Sequence, residues 1–299
     1  MSSSRTAGAG RFDVAVRAQA ALGEGPTWDA ATGRLIWVDI VGSRVHTFDP
    51  ATGHRTVMTT EQHVGAAKPR TGGGLVVNLR DGIGLYDGTD SADGTGAGGF
   101  RWLHHEPVPG RRANDAAVAP DGALWAGTMY YDEKPGGGTL ARVAPDGTVT
   151  SVLDDVTISN GTGWSPDGRL MYYVDTVTGR IDVFDVTADG AQVTGRREFA
   201  AVEAGAGSPD GLTVDADGCV WVALWGGAAV RRYAPSGALD RVVAVPTSLT
   251  TACAFGGPRL TDLYITTARV GLDAPHPLDG SVLVVPDAGQ GVAQPAFAG

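Results

Sequence analysis

Cysteine is nearly absent from this 299-residue chain, with Cys219 and Cys253 the only two. That excludes a disulfide-stapled secreted scaffold and a cysteine zinc site with the usual paired spacing. Both cysteines sit in apolar stretches, which reads as two buried free thiols rather than a bridge. Charge is also sparse, at 19% of residues, and 33 acidic against 23 basic side chains leave a net charge of -10. This balance excludes a nucleic-acid surface, which needs clustered positive charge to displace counterions. It equally excludes adhesion to anionic lipid, while an acidic chain favours cations. Lysine occurs only as Lys68 and Lys134, a bias read as GC-rich coding. The longest near-apolar run, Gly218 to Val230, is too short to span a bilayer. The opening MSSSRTAGAG lacks the basic and apolar regions of a secretory signal. The expectation is a soluble, cytoplasmic protein with no nucleic-acid or membrane partner.

Amphipathic helical periodicity is missing as well. Turn residues take its place: 45 glycines and 17 prolines accompany 42% hydrophobic residues. The chain repeats. Six times a turn leads into a short strand rich in β-branched and aromatic residues, at Gly33-Arg34-Leu35, Gly73-Gly74-Leu75, Gly122-Ala123-Leu124, Gly168-Arg169-Leu170, Gly218-Cys219-Val220 and Thr261-Asp262-Leu263. The six anchor residues, Leu35, Leu75, Leu124, Leu170, Val220 and Leu263, are 40, 49, 46, 50 and 43 residues apart. A period of this length with several strands per unit is the signature of a propeller blade. Asp-Gly at 121–122, 167–168 and 217–218 supplies the positive φ a hairpin turn needs. The fold expected is all-β, a six-bladed β-propeller with a central metal site, in one domain over 1–299. Strand-like Phe12–Val16 and Ser281–Val285 are placed to share a blade and close the ring. Residues 1–11 read as a flexible tail and Asp90–Gly99 as a surface loop.

In a propeller, residues from different blades converge on the axis. Glu24, Asn114, Asn160 and Asp210 precede their repeat anchors by 11, 10, 10 and 10 residues, so two carboxylates and two amides should face one point. Asn-Gly and Asp-Gly are also ordinary turn formers; the matched offsets lift these four above that reading. An oxygen-only set suits a hard divalent cation, although carboxylates bind zinc too. The six histidines show no ligand spacing, and His104-His105, next to Pro107, reads as a surface loop.

These same residues carry a resemblance. Gly23-Glu24-Gly25-Pro26-Thr27-Trp28, Trp37-Val38-Asp39-Ile40, Arg112-Ala113-Asn114-Asp115, Ala126-Gly127-Thr128-Met129, Ile158-Ser159-Asn160-Gly161, Tyr172-Tyr173-Val174-Asp175, Pro209-Asp210-Gly211-Leu212, Leu224-Trp225-Gly226-Gly227 and Cys253-Ala254-Phe255-Gly256-Gly257 run in the order found in one family. The chain resembles the SMP-30/gluconolactonase/luciferin-regenerating-enzyme (regucalcin-like) family. The resemblance implies that Glu24, Asn160 and Asp210 ligate one divalent cation, with Ca2+ first and Mn2+, Mg2+, Zn2+ or Fe2+ as the other candidates. It implies that Arg112 holds substrate oxygen atoms and that Asn114 lines the site and holds substrate or a metal-bound water. The acid that follows the Gly-Thr-Met segment and touches substrate in the family falls nearest Asp132, which the resemblance thus implies as a substrate-binding residue. The chain departs from the pattern at Ala116, where glycine is usual, and at Thr162, where an aliphatic residue is common.

The function expected is a metal-dependent hydrolase opening a sugar aldonolactone, with a small-molecule sugar lactone as partner. Asp210 is the candidate catalytic base, a role in tension with ligation because a cation depresses a carboxylate's basicity; the alternative is that the cation acidifies a bound water and Asp210 only shuttles its proton. No Gly-x-Ser-x-Gly elbow is present. The alternatives are a phosphotriesterase on the same scaffold, or a non-catalytic propeller that binds calcium or proteins.

Overall fold

The computed structural model describes residues 12–88 and 99–299. The tail expected over 1–11, and the loop expected over 90–99 apart from Gly99, lie outside the described residues. Across the described residues, 24 strands form six four-stranded antiparallel sheets arranged as a six-bladed β-propeller. The one helical element among them is a 3-10 turn at Thr176–Thr178, and no helix is long and apolar enough to cross a membrane.

The innermost strands of blades one to six are Gly23–Asp29, Val64–Pro69, Arg111–Val118, Ser159–Trp164, Ser208–Val214 and Thr250–Gly256. The repeat anchors lie one strand further out. Leu35 falls in Arg34–Asp39 and Leu170 in Leu170–Asp175, for example. The Asp-Gly turns that join these strands carry the expected left-handed backbone, with φ of 81° at Gly122, 70° at Gly168 and 78° at Gly218. Asp13–Val16 closes the ring as the outermost strand of blade six. It pairs with Val282–Val285 through Asp13↔Val284, Val14↔Leu283 and Val16↔Val282.

Alternation along each strand turns apolar side chains toward the neighbouring blades, so the core is divided into six clusters. Ile36, Val38, Val64 and Val77 fill the space between blades one and two. Trp125, Met171 and Tyr173 fill that between three and four, and Trp28, Trp37 and Tyr264 that between six and one. Each large side chain so buried contributes about 1.5–3 kcal/mol. After the last strand the chain returns beneath the ring. Phe297, 0% exposed, enters the cluster between blades two and three; its N–H donates to the Pro69 carbonyl at 2.9 Å and its carbonyl accepts from Thr71 N–H at 2.9 Å. Val292–Pro295 helps to line a cavity of about 290 Å3 at the Val118, Trp164 and Val214 ends of the innermost strands.

The pair His104-His105 corrects an expectation. These residues are not in a loop but end the outermost strand of blade two, Phe100–His105. There the His105 ring stacks on Trp102 with centroids 4.4 Å apart. Cys219 and Cys253 are both free and buried.

Candidate functional site

All six innermost strands break register at the same level. The breaks fall between Glu24 and Thr27, Val64 and Ala66, Ala113 and Ala116, Ser159 and Thr162, Pro209 and Leu212, and Thr250 and Ala252. A bulge bends its strand and re-aims the side chains it carries. Glu24, Asn114, Asp115, Asn160 and Asp210 all sit at or within these breaks, so the matched offsets in the sequence mark a ring of bulges. Gly25, inside the blade-one break, takes a left-handed φ of 56°, whereas Gly161 and Gly211 serve by close approach. A Cβ on Gly161 would lie 2.6 Å from the Asp210 carbonyl oxygen, and one on Gly211 would run into Ala252 of the next blade.

Local hydrogen bonds hold the bulges of blades one and four. The Thr27 hydroxyl donates to the Gly25 carbonyl at 3.3 Å and the Thr162 hydroxyl to the Asn160 carbonyl at 3.1 Å. Thr162, a departure from the family pattern, thus pins the residue it follows. Ala116, the other departure, is not among the residues with positive φ and carries no backbone strain on that account. Asn78 of blade two donates to the carbonyls of Asn114, at 3.2 Å, and Gly127, at 3.0 Å. Two motif acids anchor the chain just before the inner strands. The Asp39 carboxylate accepts from the N–H groups of Ala21, Leu22 and Gly42, and Asp175 from those of Thr157 and Ile158.

The structure brings together Glu24, Asn114, Asn160, Asp210 and Arg112. The first four are buried, Asp210 to 4% exposure. Arg112 Nη1 donates to the Ala113 carbonyl at 2.9 Å and to Asn114 Oδ1 at 2.8 Å, while Asn114 Nδ2 donates to the Ser159 carbonyl at 2.8 Å. Burial pushes the Glu24 carboxyl up to about 8; Asp115 pushes the same way, against the Gly25 N–H, Arg112 and Lys68. Asp210 is raised well above its usual value by burial, then by Glu24 and Asp115, with Asn160 and Arg112 opposing. The Asp115 carboxyl is also raised by burial, against Lys68. Three carboxyls therefore crowd the axis and resist ionising together.

Sequence reasoning missed two of these groups, Asp115 and Lys68. Lys68, on the innermost strand of blade two, is 7% exposed. Its Nζ donates to Thr27 Oγ1 at 2.7 Å and lies 3.5 Å from the Gly25 carbonyl. It thus braces the Glu24 bulge from the next blade and offsets the charge of Asp115 and Glu24. The available signal was one of only two lysines in an otherwise apolar inner-strand run. Asp132 is exposed, in the turn after the strand Leu124–Tyr130, and its Oδ1 accepts from Lys134 N–H at 3.2 Å. From this turn, the groups that bear on the Arg112 guanidinium are Tyr131 and Glu133.

Two buried oxygens in the group, Asn160 Oδ1 and Asp210 Oδ1, have no hydrogen-bond partner. An unpartnered buried oxygen is costly. Two of them beside the buried Glu24 carboxyl form a donor set that fits a hard cation. Among the described residues no group of three or more His, Cys, Asp or Glu side chains forms a metal cage; the set is two carboxylates and an amide.

The profile of the SMP-30/gluconolactonase/LRE-like region matches residues 22–269. A 6-deoxy-6-sulfogluconolactonase of Pseudomonas putida is 34% identical, over 95% of this chain and 97% of its own. A regucalcin of Xenopus laevis is 33% identical, over 93% and 95%. The crystal structure of a calcium-binding protein, regucalcin, from Agrobacterium tumefaciens superposes with a TM-score of 0.90 at 32% identity, covering 96% of this chain and 97% of that one.

Proposed function

The chain belongs to the SMP-30/gluconolactonase/LRE-like family, and on that premise we propose that it is a metal-dependent hydrolase opening a sugar aldonolactone to the aldonic acid. The observation that carries this reading is the pair of unpartnered buried oxygens, Asn160 Oδ1 and Asp210 Oδ1, beside the Glu24 carboxyl. Glu24, Asn160 and Asp210 would hold one divalent cation. Similarity to a calcium-binding regucalcin supports Ca2+ first, and similarity to a sulfogluconolactonase supports a lactone rather than a phosphotriester.

A cation bound there supplies Lewis acidity toward a carbonyl oxygen and compensates the crowded carboxylates. The chain's own residues supply the rest. Arg112 spends Nη1 on Ala113 and Asn114, leaving its other N–H groups for substrate oxygens. Asn114, fixed by Arg112 and Ser159, keeps one amide hydrogen for the same purpose. The turn that carries Asp132 borders the substrate. Asp210 takes the proton as the oxygen of water attacks the lactone carbon. The ring C–O bond then breaks, and the leaving alkoxide takes that proton to become a hydroxyl. Lys68 and Asp115 balance charge beneath the reacting groups without touching them.

Asp210→Asn tests the assignment. It keeps the size and one oxygen but removes charge and base, and turnover should fall about a hundredfold or more, the scale of general-base catalysis. Far-UV spectra should match, and without cation Asp210→Asn should melt no lower than wild type, because the amide escapes the cost of ionising a buried carboxyl. Equal turnover at saturating cation would remove Asp210 from catalysis.

A further inference from the structure

Tyr131 is 47% exposed, yet it is fixed at both ends. Its backbone N–H donates to the Gly110 carbonyl at 2.9 Å. Its hydroxyl lies 2.8 Å from Nδ1 of His63, a residue of the neighbouring blade. The two rings meet edge to face, with centroids 5.7 Å apart and planes at 68°. His63 directly precedes the innermost strand of blade two, Val64–Pro69, and its carbonyl accepts from Arg80 N–H at 3.0 Å. Both residues therefore stand at the end of the ring where the bulges present Glu24, Asn114 and Asp210. Both also bear on the same group. The Tyr131 phenol oxygen is close enough to Arg112 to interact with it, and Arg112 follows burial among the influences on His63. In the same turn Glu133 holds a left-handed backbone, φ 54°, and it too acts on Arg112. Non-glycine residues in that region are uncommon and concentrate at functional positions.

A hydrogen-bonded pair of rings bridging two blades beside a guanidinium has the chemistry of a polyol site. The ring faces pack against C–H groups, the phenol oxygen can donate and accept, and the imidazole nitrogen not bonded to Tyr131 is free for a hydroxyl. We infer that Tyr131 and His63 form a clasp on the rim of the site that binds the hydroxyl-bearing tail of the substrate, remote from the lactone carbonyl, and so selects polyhydroxy lactones over plain ones. This inference rests on the lactonase reading and adds the residues that choose among lactones.

The experiment compares glucono-δ-lactone with δ-valerolactone, which has no hydroxyls, in wild type, Tyr131→Phe, His63→Phe and the double variant. Loss of a hydrogen bond to a substrate hydroxyl should lower kcat/KM for gluconolactone about five- to tenfold, chiefly through KM, with under about twofold change for valerolactone. Because the two residues act as one clasp, the double variant should lose little more than either single one. Calorimetric cation affinity should stay at the wild-type value in all four proteins. An equal fall on both lactones, or no fall on either, would overturn the clasp. Should the wild type open neither lactone, the lactonase reading fails, and titration with gluconate decides the clasp alone. Weaker binding by Tyr131→Phe than by wild type sustains it, whereas equal binding, or none by either, overturns it.

Discussion

Replacing Glu24 by glutamine should stabilise the cation-free protein at alkaline pH and weaken its response to cations. The Glu24 carboxyl is buried, 6% exposed, and is pushed from a usual 4.5 up to about 8, by burial first and then by Asp115. In the unfolded chain the same group ionises near its usual value. Between the two values the folded protein keeps a proton that the unfolded chain has lost. The contribution to stability is therefore fully present below about pH 4 and is lost as pH rises through the folded pKa, about 8. At about 1.4 kcal/mol per unit, the interval corresponds to about 5 kcal/mol. Glutamine does not ionise and escapes that loss. Asp115 and Asp210 are raised in the same direction; because the Glu24 charge is among the causes that raise Asp210, its removal also eases Asp210 ionisation and adds to the advantage of glutamine. The assay is urea unfolding in EDTA, followed by far-UV circular dichroism at pH 5, 7 and 9. The advantage of Glu24→Gln over wild type should grow by several kcal/mol across that range. With saturating Ca2+ the order should reverse, because the cation stabilises only the protein that binds it well. A difference independent of pH, or an equal gain from Ca2+ in both proteins, would refute the placement of Glu24 in a buried cation site.

Arg112→Ala should lower kcat/KM on the best lactone about tenfold or more while cation affinity stays near wild type; steady-state kinetics paired with calorimetry checks both, and unchanged kinetics would remove Arg112 from substrate binding. Phe297→Ala empties a fully buried position between blades two and three and should cost about 3–5 kcal/mol. An unchanged melting temperature would detach the C-terminal segment from the core.

The blade count and ring closure were legible because both follow from short-range signals. An Asp-Gly turn requires positive φ, and Leu35, Leu124 or Val220 two residues past the turn recurs at blade spacing. The anchors proved to be second strands, so the inner strands had to be inferred from their offsets, and Glu24, Asn114, Asn160 and Asp210 were found there. The ring of bulges itself left no direct mark. Gly161 and Gly211 look like turn glycines in the sequence and are in fact points where adjacent blades nearly touch. Lys68 and His63 escaped notice for a related reason. Each acts on a neighbouring blade, Lys68 on Thr27 and His63 on Tyr131, and no periodicity within a blade encodes which residues meet across two. His104-His105 was misread because a proline two residues on suggested a loop where the outermost strand continues.

Whether Glu24, Asn160 and Asp210 hold a catalytic cation is decided by metal reconstitution. The protein is stripped with EDTA, assayed on a panel of aldonolactones with spontaneous hydrolysis subtracted, then titrated with Ca2+, Mn2+, Mg2+ or Zn2+ while bound cation is counted. The stripped protein should show no turnover above background and recover fully at one equivalent per chain. Full activity in EDTA, or no turnover with any of the cations, would contradict a catalytic cation at these residues.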